Sequence, residues 1–227
     1  MIRRIPYGKN TNCPLNIGYV AKPILAFAGI ATLLLAFAPR VYAAVPEQGK
    51  TLANLQAAYN GESNAHAKYL LFAEKASEEG YGEVASLFRA IARAEEVHLN
   101  NHAAVIRSMG GEPTADIKTA EVKSTLENLQ ESANLGEAYE RDTMYPEFIQ
   151  QAELESNNDA VRTFNFALTA EGEHYKLLTA AAENLENMKG DSRTYYVCSV
   201  CGYTAIDLPA ENCVSCMSPK DKYEAIS

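Results

Sequence analysis

Two Glu-x-x-His motifs, Glu95-Glu96-Val97-His98 and Glu171-Gly172-Glu173-His174, lie 76 residues apart. On a helix, a carboxylate and an imidazole three positions apart share one face. Each motif is preceded by a glutamate in a Gly-Glu pair, Glu62 and Glu137, themselves 75 residues apart. A Glu from each of two helices and a Glu-x-x-His from each of two others is the donor set of a carboxylate-bridged dimetal centre inside a helix bundle. One such motif alone reads as a solvated pair on a helix surface. All four elements together call for two cations, since burying these carboxylates without them costs several kcal/mol each. Glutamate and imidazole suit iron or manganese, and spacing does not choose between them. The tail adds Cys198-Ser199-Val200-Cys201 and Cys213-Val214-Ser215-Cys216. Two Cys-x-x-Cys turns make a tetrahedral S4 cage, open to zinc or iron when taken alone.

The elements that position these groups are long helices. From Thr51 to Asn187 the heptad-like pattern is broken at Gly80-Tyr81-Gly82, at Gly110-Gly111-Glu112-Pro113 and at Ser156-Asn157-Asn158. Four helices follow, over about 48–79, 82–109, 122–155 and 158–188, and their lengths favour a bundle. The outer two gaps are tight turns. The middle gap, 110–121, is long enough to cross the bundle end or to pass to another subunit, and Pro146 should kink the third helix. Glu62 lies roughly 27 Å below the first turn, with Glu95 and His98 roughly 20 and 24 Å below it on the partner helix. All can therefore meet at one height. The halves repeat at an offset of 75 for Glu62 and Glu137, and 76 for Phe88/Phe164, Glu95/Glu171 and His98/His174. The extra residue is expected at a turn, where insertions cost least. Glu140 breaks the symmetry, standing where the first copy has Ala65. His66 and His102 read as surface or supporting groups, and Leu70, Leu71, Phe72, Val84, Leu87, Phe88 and Ile91 as bundle core.

The 227 residues divide into an N-terminal leader (1–43), a bundle (44–190) and a small metal knuckle (191–227). The leader holds five basic residues and no acid, which leaves 15 basic and 29 acidic residues in the rest. That balance excludes a nucleic-acid partner. Pro23–Ala38 is sixteen residues without a charge, short for a bilayer crossing. It reads as an export signal cut after Ala43, with an uncleaved anchor as the alternative. The Arg3-Arg4 pair is a poor match to a twin-arginine signal. Either way the expected location is outside the inner membrane, periplasmic or membrane-anchored. Cys13 lies in the leader and has no assigned role. The knuckle is too small to fold on its own core, so its ion must contribute to folding. In an exporting compartment the thiols could pair as disulfides instead. Gly202 is expected to allow a turn that aims backbone N–H groups at sulfur.

Gly61-Glu62-Ser63, Ala94-Glu95-Glu96-Val97-His98, Gly136-Glu137-Ala138-Tyr139-Glu140, Thr143-Met144-Tyr145-Pro146-Glu147-Phe148 and Glu171-Gly172-Glu173-His174 resemble, in order, the signatures of the rubrerythrins. The resemblance covers roughly 48–227 and implies an all-α ferritin-like four-helix bundle with a C-terminal rubredoxin-like knuckle. It implies diiron ligands at Glu62, Glu95, His98, Glu137, Glu140, Glu171 and His174, with Glu140 similar to the family's movable ligand. It places Tyr69 and Tyr145 near the site, although by themselves both read equally as core packing. It tips Cys198, Cys201, Cys213 and Cys216 towards one redox-active iron, with zinc the alternative. Val214 stands where the family commonly has proline, and no glycine follows Cys216. The implied activity is a peroxidase that reduces hydrogen peroxide to water. Its electrons come ultimately from a reduced nicotinamide cofactor through a separate reductase, since this chain has no dinucleotide fingerprint. The alternatives are oxygen-driven ferrous oxidation and a non-enzymatic electron carrier. A homodimer is expected from the likeness and from the long 110–121 connection.

Overall fold

The computed structural model describes residues 49–227. The expected leader, with its apolar run and Cys13, lies outside them. Helix α1 (Lys50–Glu78) and helix α2 (Gly82–Ser108) form an antiparallel pair around the Gly80 turn, where φ is +81°. The third rod runs from α3 (Thr125–Glu131) through two π-helical segments, Ser132–Glu137 and Glu140–Met144, into α4 (Tyr145–Leu154). It pairs with α5 (Asn158–Glu183) around Ser156, which takes a φ of +57° where the first half has glycine. Pro146 is the second residue of α4 and follows directly on the second π segment, so the third rod changes its helical form just before the proline. Among the described residues no helix is long and apolar enough to cross a membrane.

The π segments account for the shifting repeat. Thr51 and Thr125, both buried, open their rods 74 residues apart. Glu62 and Glu137 are 75 apart, while Tyr69 and Tyr145, like Glu79 and Glu155, are 76 apart. Each π segment inserts one residue, as a π-bulge does. The extra residue thus falls inside the third rod, not at a turn. The rod ends answer each other in the same way. The Thr51 N–H donates to the Glu155 carboxylate at 3.2 Å, and the Thr125 N–H donates to Glu79 at 2.9 Å.

The middle connection does not cross the bundle end. It runs extended along the outside of α1 from Glu112 to Lys118. The N–H groups of Thr114, Asp116 and Lys118 donate to the side-chain oxygens of Gln56, Asn60 and Asn64 at 3.2, 2.8 and 2.9 Å. Four helical residues rise roughly 6.0 Å and two extended residues roughly 6.6 Å, so the two ladders stay in step. The connection thus returns the chain to the top of the bundle, and the third rod runs antiparallel to α1. The core is apolar above and below the site: Phe72, Phe88, Ile91 and Leu178 on one side, Leu55, Ile106 and Phe164 on the other. Leu70, expected in that core, is 42% exposed.

The tail folds into a three-stranded antiparallel sheet, β1 (Tyr195–Cys198), β2 (Thr204–Ala205) and β3 (Tyr223–Ile226), in the order β2-β1-β3. It forms one compact unit with the bundle. Arg93 on α2 clamps it through a two-pronged contact with Glu224, at 2.7 and 3.1 Å.

Candidate metal centres

Equal depth in the rods brings six side chains together. Glu62 comes from α1, Glu95 and His98 from α2, Glu137 from the end of the first π segment, and Glu171 and His174 from α5. All are buried. They form two quartets, Glu62, Glu95, His98, Glu171 and Glu95, Glu137, Glu171, His174, each with donor atoms within 4.8 Å of one another. Glu95 and Glu171 belong to both. His98 Nδ1 lies 2.9 Å from Glu95 and 3.1 Å from Glu171; His174 Nδ1 lies 2.7 Å from Glu171 and 3.6 Å from Glu95. The near two-fold symmetry expected from the repeat is thus present in the donor atoms themselves.

Burial together with the charges of Glu171 and Glu62 raises the Glu95 carboxyl well above its ordinary value. Burial and Glu137 do the same to Glu171. For Glu62 and Glu137 burial acts the same way, yet hydrogen bonding from His98 and His174 overcomes it and lowers both. The imidazoles His98 and His174 are pushed up by these carboxylates against the effect of burial. Glu62 Oε2, Glu95 Oε1, Glu137 Oε2 and Glu171 Oε1 are buried with no hydrogen-bond partner. Four orphaned carboxylate oxygens among two imidazoles are a donor set that fits two divalent cations.

The two tyrosines complete the pair by exchange across the repeat: Tyr69 donates to Glu137, and Tyr145 donates to Glu62. Both are buried, as are the phenylalanines that pack on them, Phe88 and Phe164. Glu140 stands apart from both quartets. It is half-buried at the start of the second π segment, and it lines an open cavity of about 230 Å³ with Asn64, Lys68, Tyr69, Lys118 and Gly136. Burial and the charges of Glu62, Glu171 and Glu137 raise its carboxyl well above the usual range.

The supporting histidines differ from each other. His66 is half-buried and holds the Ala92 carbonyl at 2.7 Å. His102, expected as a surface or supporting group, is wholly buried between Tyr145 (3.1 Å) and Thr163 (3.0 Å). Burial lowers its pKa to about 4. Its spacing, one turn past His98, placed it on the inward face and was the available signal.

The four cysteines are free and lie within 4.8 Å of one another, with Cys198–Cys216 and Cys201–Cys213 sulfur separations of 3.7 and 3.6 Å. A tetrahedron with metal–sulfur bonds of about 2.3 Å has an edge of about 3.8 Å, so the cage fits one ion. Hydrogen bonding from Cys201 and from the Val200 and Cys201 N–H groups brings Cys198 down to about 5 in spite of burial. Gly202 does take the left-handed turn, with a φ of +79°; its own N–H bonds the Cys198 carbonyl at 2.8 Å, and the Tyr203 N–H that follows bonds the Cys201 sulfur, as expected. The cage sits directly against the carboxylate site. His98 Nε2 lies 3.2 Å from the Cys201 carbonyl, and His174 Nε2 lies 3.0 Å from the Thr204 hydroxyl.

Comparison with known proteins agrees with this architecture. The rubrerythrin family model matches residues 53–182. Nigerythrin of Nitratidesulfovibrio vulgaris is 39% identical over 180 residues, 78% of this chain and 87% of its own. Rubrerythrin-2 of Clostridium acetobutylicum is 37% identical over 174 residues, 75% of this chain and 94% of its own. The solved structure of fully reduced, all-ferrous nigerythrin superposes with a TM-score of 0.71, covering 77% of this chain and 86% of that one at 39% identity. A Desulfovibrio desulfuricans bacterioferritin, at 23% identity and a TM-score of 0.55 over 61% of this chain and 81% of its own, shares the bundle fold. With the family model spanning more than half of its length, this chain belongs to the rubrerythrin family.

Proposed function

We propose that the protein is a peroxidase that reduces hydrogen peroxide to two waters at a diiron site, drawing electrons through a single iron in the four-cysteine cage. The single observation that carries this is the 3.2 Å contact between His98 Nε2 and the Cys201 carbonyl. His98 also reaches into the carboxylate quartet through Nδ1. One imidazole therefore joins a one-electron S4 cage to a two-cation site, an arrangement suited to refilling that site one electron at a time.

Two iron ions held by Glu62, Glu95, His98, Glu137, Glu171 and His174 would supply Lewis acidity and two electrons for one O–O bond. The chain's own groups do the rest. Glu95 and Glu171 present carboxylates to both quartets and fix their spacing. Tyr69 and Tyr145 hold Glu137 and Glu62 by hydroxyl donation, which orients those carboxylates. The cavity beside Tyr69 admits a molecule of peroxide size. Glu140 stands at its wall, within the region where water must form, and burial and the neighbouring carboxylates push its carboxyl towards the protonated form. The apolar packing of Phe88 and Phe164 keeps bulk water from the remaining faces.

The reductant reaching the cage is a separate protein, and export places the reaction outside the inner membrane. The test is metal content per chain, then rapid mixing of the fully reduced protein with peroxide and, separately, with dioxygen. Faster oxidation by peroxide, with the S4 chromophore reporting oxidation as the site turns over, is the expected result. Faster oxidation by dioxygen would transfer the assignment to ferrous oxidation, and zinc in the cage would remove the electron route.

A further inference from the structure

The repeat makes His98 and His174 equivalent, but the knuckle meets them with different groups. Nδ1 of each imidazole faces the carboxylates, and Nε2 of each faces the tail. The groups that receive Nε2 lie three residues apart in one turn. The Cys201 carbonyl is 3.2 Å from His98, and the Thr204 hydroxyl is 3.0 Å from His174. A carbonyl only accepts, so the His98 Nε2–H donates to it. The Thr204 hydroxyl gives its own proton to the Gly202 carbonyl at 3.4 Å and so accepts from His174. Each ring is thereby held with Nδ1 towards the quartet it serves. Thr204 is wholly buried and begins β2, where it pairs with Val197 of β1. Cys201 is one of the four cage residues. The same turn therefore belongs to the cage and to the support of both imidazoles.

We propose that Thr204 positions His174 for its cation, as the Cys201 carbonyl positions His98, and that filling of the carboxylate site is thereby coupled to filling of the cysteine cage. The coupling runs through the folding of the tail. Its buried cluster is made of Cys198, Cys201 and Cys213 themselves, with Phe166 of α5 and Tyr223 of β3 packed on them. Strands of four, two and four residues supply little else, so an ion in the cage must help to hold the turn in shape. Once shaped, the turn is fastened to α2 by Asn101, which donates to the Val200 carbonyl at 2.9 Å, and by the Arg93–Glu224 contact. With the cage empty the turn loses its shape, and both imidazoles lose the acceptors that fix their rings. Partners of this kind are worth about 10–100-fold in metal affinity. Linkage is reciprocal, so cations among the carboxylates tighten the cage by the same factor. The proposal needs both centres to bind divalent ions, but it does not need peroxide as the oxidant. Thr204 acts through His174 and is a positioning residue.

The test is manganese(II) binding to the full chain, read from the loss of the free-ion electron spin resonance signal at limiting metal. Manganese takes oxygen and nitrogen ligands and leaves the thiolates to zinc. Wild type carrying one equivalent of zinc in the cage is compared with the double variant Cys213→Ser, Cys216→Ser. That variant loses two cage ligands but keeps the turn from Cys201 to Thr204 intact in sequence. It is expected to bind manganese at least about tenfold more weakly. In the zinc-caged chain, Thr204→Val is expected to weaken one of the two manganese ions by a similar factor while zinc stays bound, and Thr204→Ser to restore it. Added to the double cysteine variant, Thr204→Val should change almost nothing further, because the turn that carries it is already lost. Circular dichroism reports whether the bundle stays helical. If the cysteine variant loses its helices, Thr204→Val decides the matter, since it leaves the cage whole. Equal manganese affinity with and without the cage ion would overturn the coupling, and wild-type affinity in Thr204→Val would remove Thr204 from it.

Discussion

Gly202 is where the S4 cage meets the carboxylate site, and Gly202→Ala tests whether that contact is required. Its φ of +79° is one that alanine adopts at a cost of about 1–2 kcal/mol. The added Cβ would also run into the His98 ring, at Nε2 and at Cδ2, and come within 3.1 Å of the Ala94 carbonyl. His98 cannot yield. Its ring is buried, and its Nδ1 is engaged by Glu95 and Glu171. The Ala94 carbonyl belongs to the α2 backbone and is equally fixed. The knuckle must therefore lift, breaking the 3.2 Å contact between His98 and the Cys201 carbonyl. For a chain of this size 1 kcal/mol lowers Tm by about 2–4 °C, so the backbone cost alone predicts a fall of about 2–8 °C. The four thiolates are untouched, and the S4 metal should stay bound with an unchanged spectrum. Oxidation of that centre by peroxide should slow, while direct oxidation of the carboxylate site should not. An alanine variant with wild-type Tm and a wild-type rate of S4 oxidation would refute the packing on which the electron route depends.

Two further outcomes concern the bundle itself. The Thr125 N–H, with help from Lys75, holds the Glu79 carboxyl below its ordinary value. Stability from this contact is therefore present in full at neutral pH and fades as pH falls through the carboxylate range. Glu79→Ala should cost about 1 kcal/mol in thermal melts near neutral pH and almost nothing in strong acid; a constant difference at both would count against the cap. In the metal-free chain burial and like charge raise Glu95 and Glu171 and so favour their protonated forms. Divalent cations must displace those protons, so loading should release them and apparent affinity should rise with pH. Calorimetry in two buffers of different ionisation heat reads the release directly, and loading without it would contradict the assigned protonation.

The donor set was legible because it depends only on helical geometry: three-residue spacing, equal depth below two turns, and a repeat. Those quantities survive any detail of packing. The cysteine cage was legible for a similar reason, since two Cys-x-x-Cys turns leave sulfur few other arrangements. What escaped was set by contacts between distant segments. Nothing in Glu112–Lys118 announces that it will ride along α1, because its partners Gln56, Asn60 and Asn64 look like ordinary surface residues until the two ladders are laid side by side. Likewise His102 has no carboxylate in its motif, and its role appears only when Thr163 and Tyr145 arrive from the other half.

The repeat offsets locate the insertions in the chain. An offset that moves from 74 at Thr51/Thr125 to 75 at Glu62/Glu137 and 76 at Tyr69/Tyr145 changes twice within one rod. A turn cannot produce this, since both changes occur before Ser156. Only insertions inside a helix can, and a helix absorbs a single residue as a π turn. The second insertion lies in the π segment that begins at Glu140, three residues after Glu137. It therefore carries the site's unmatched carboxylate out of the quartets and onto the cavity wall, while returning Tyr145 to the position that mirrors Tyr69. The symmetry that holds two cations and the asymmetry that can deliver a proton from one side thus have the same local origin, one extra residue in a helix whose partner has none.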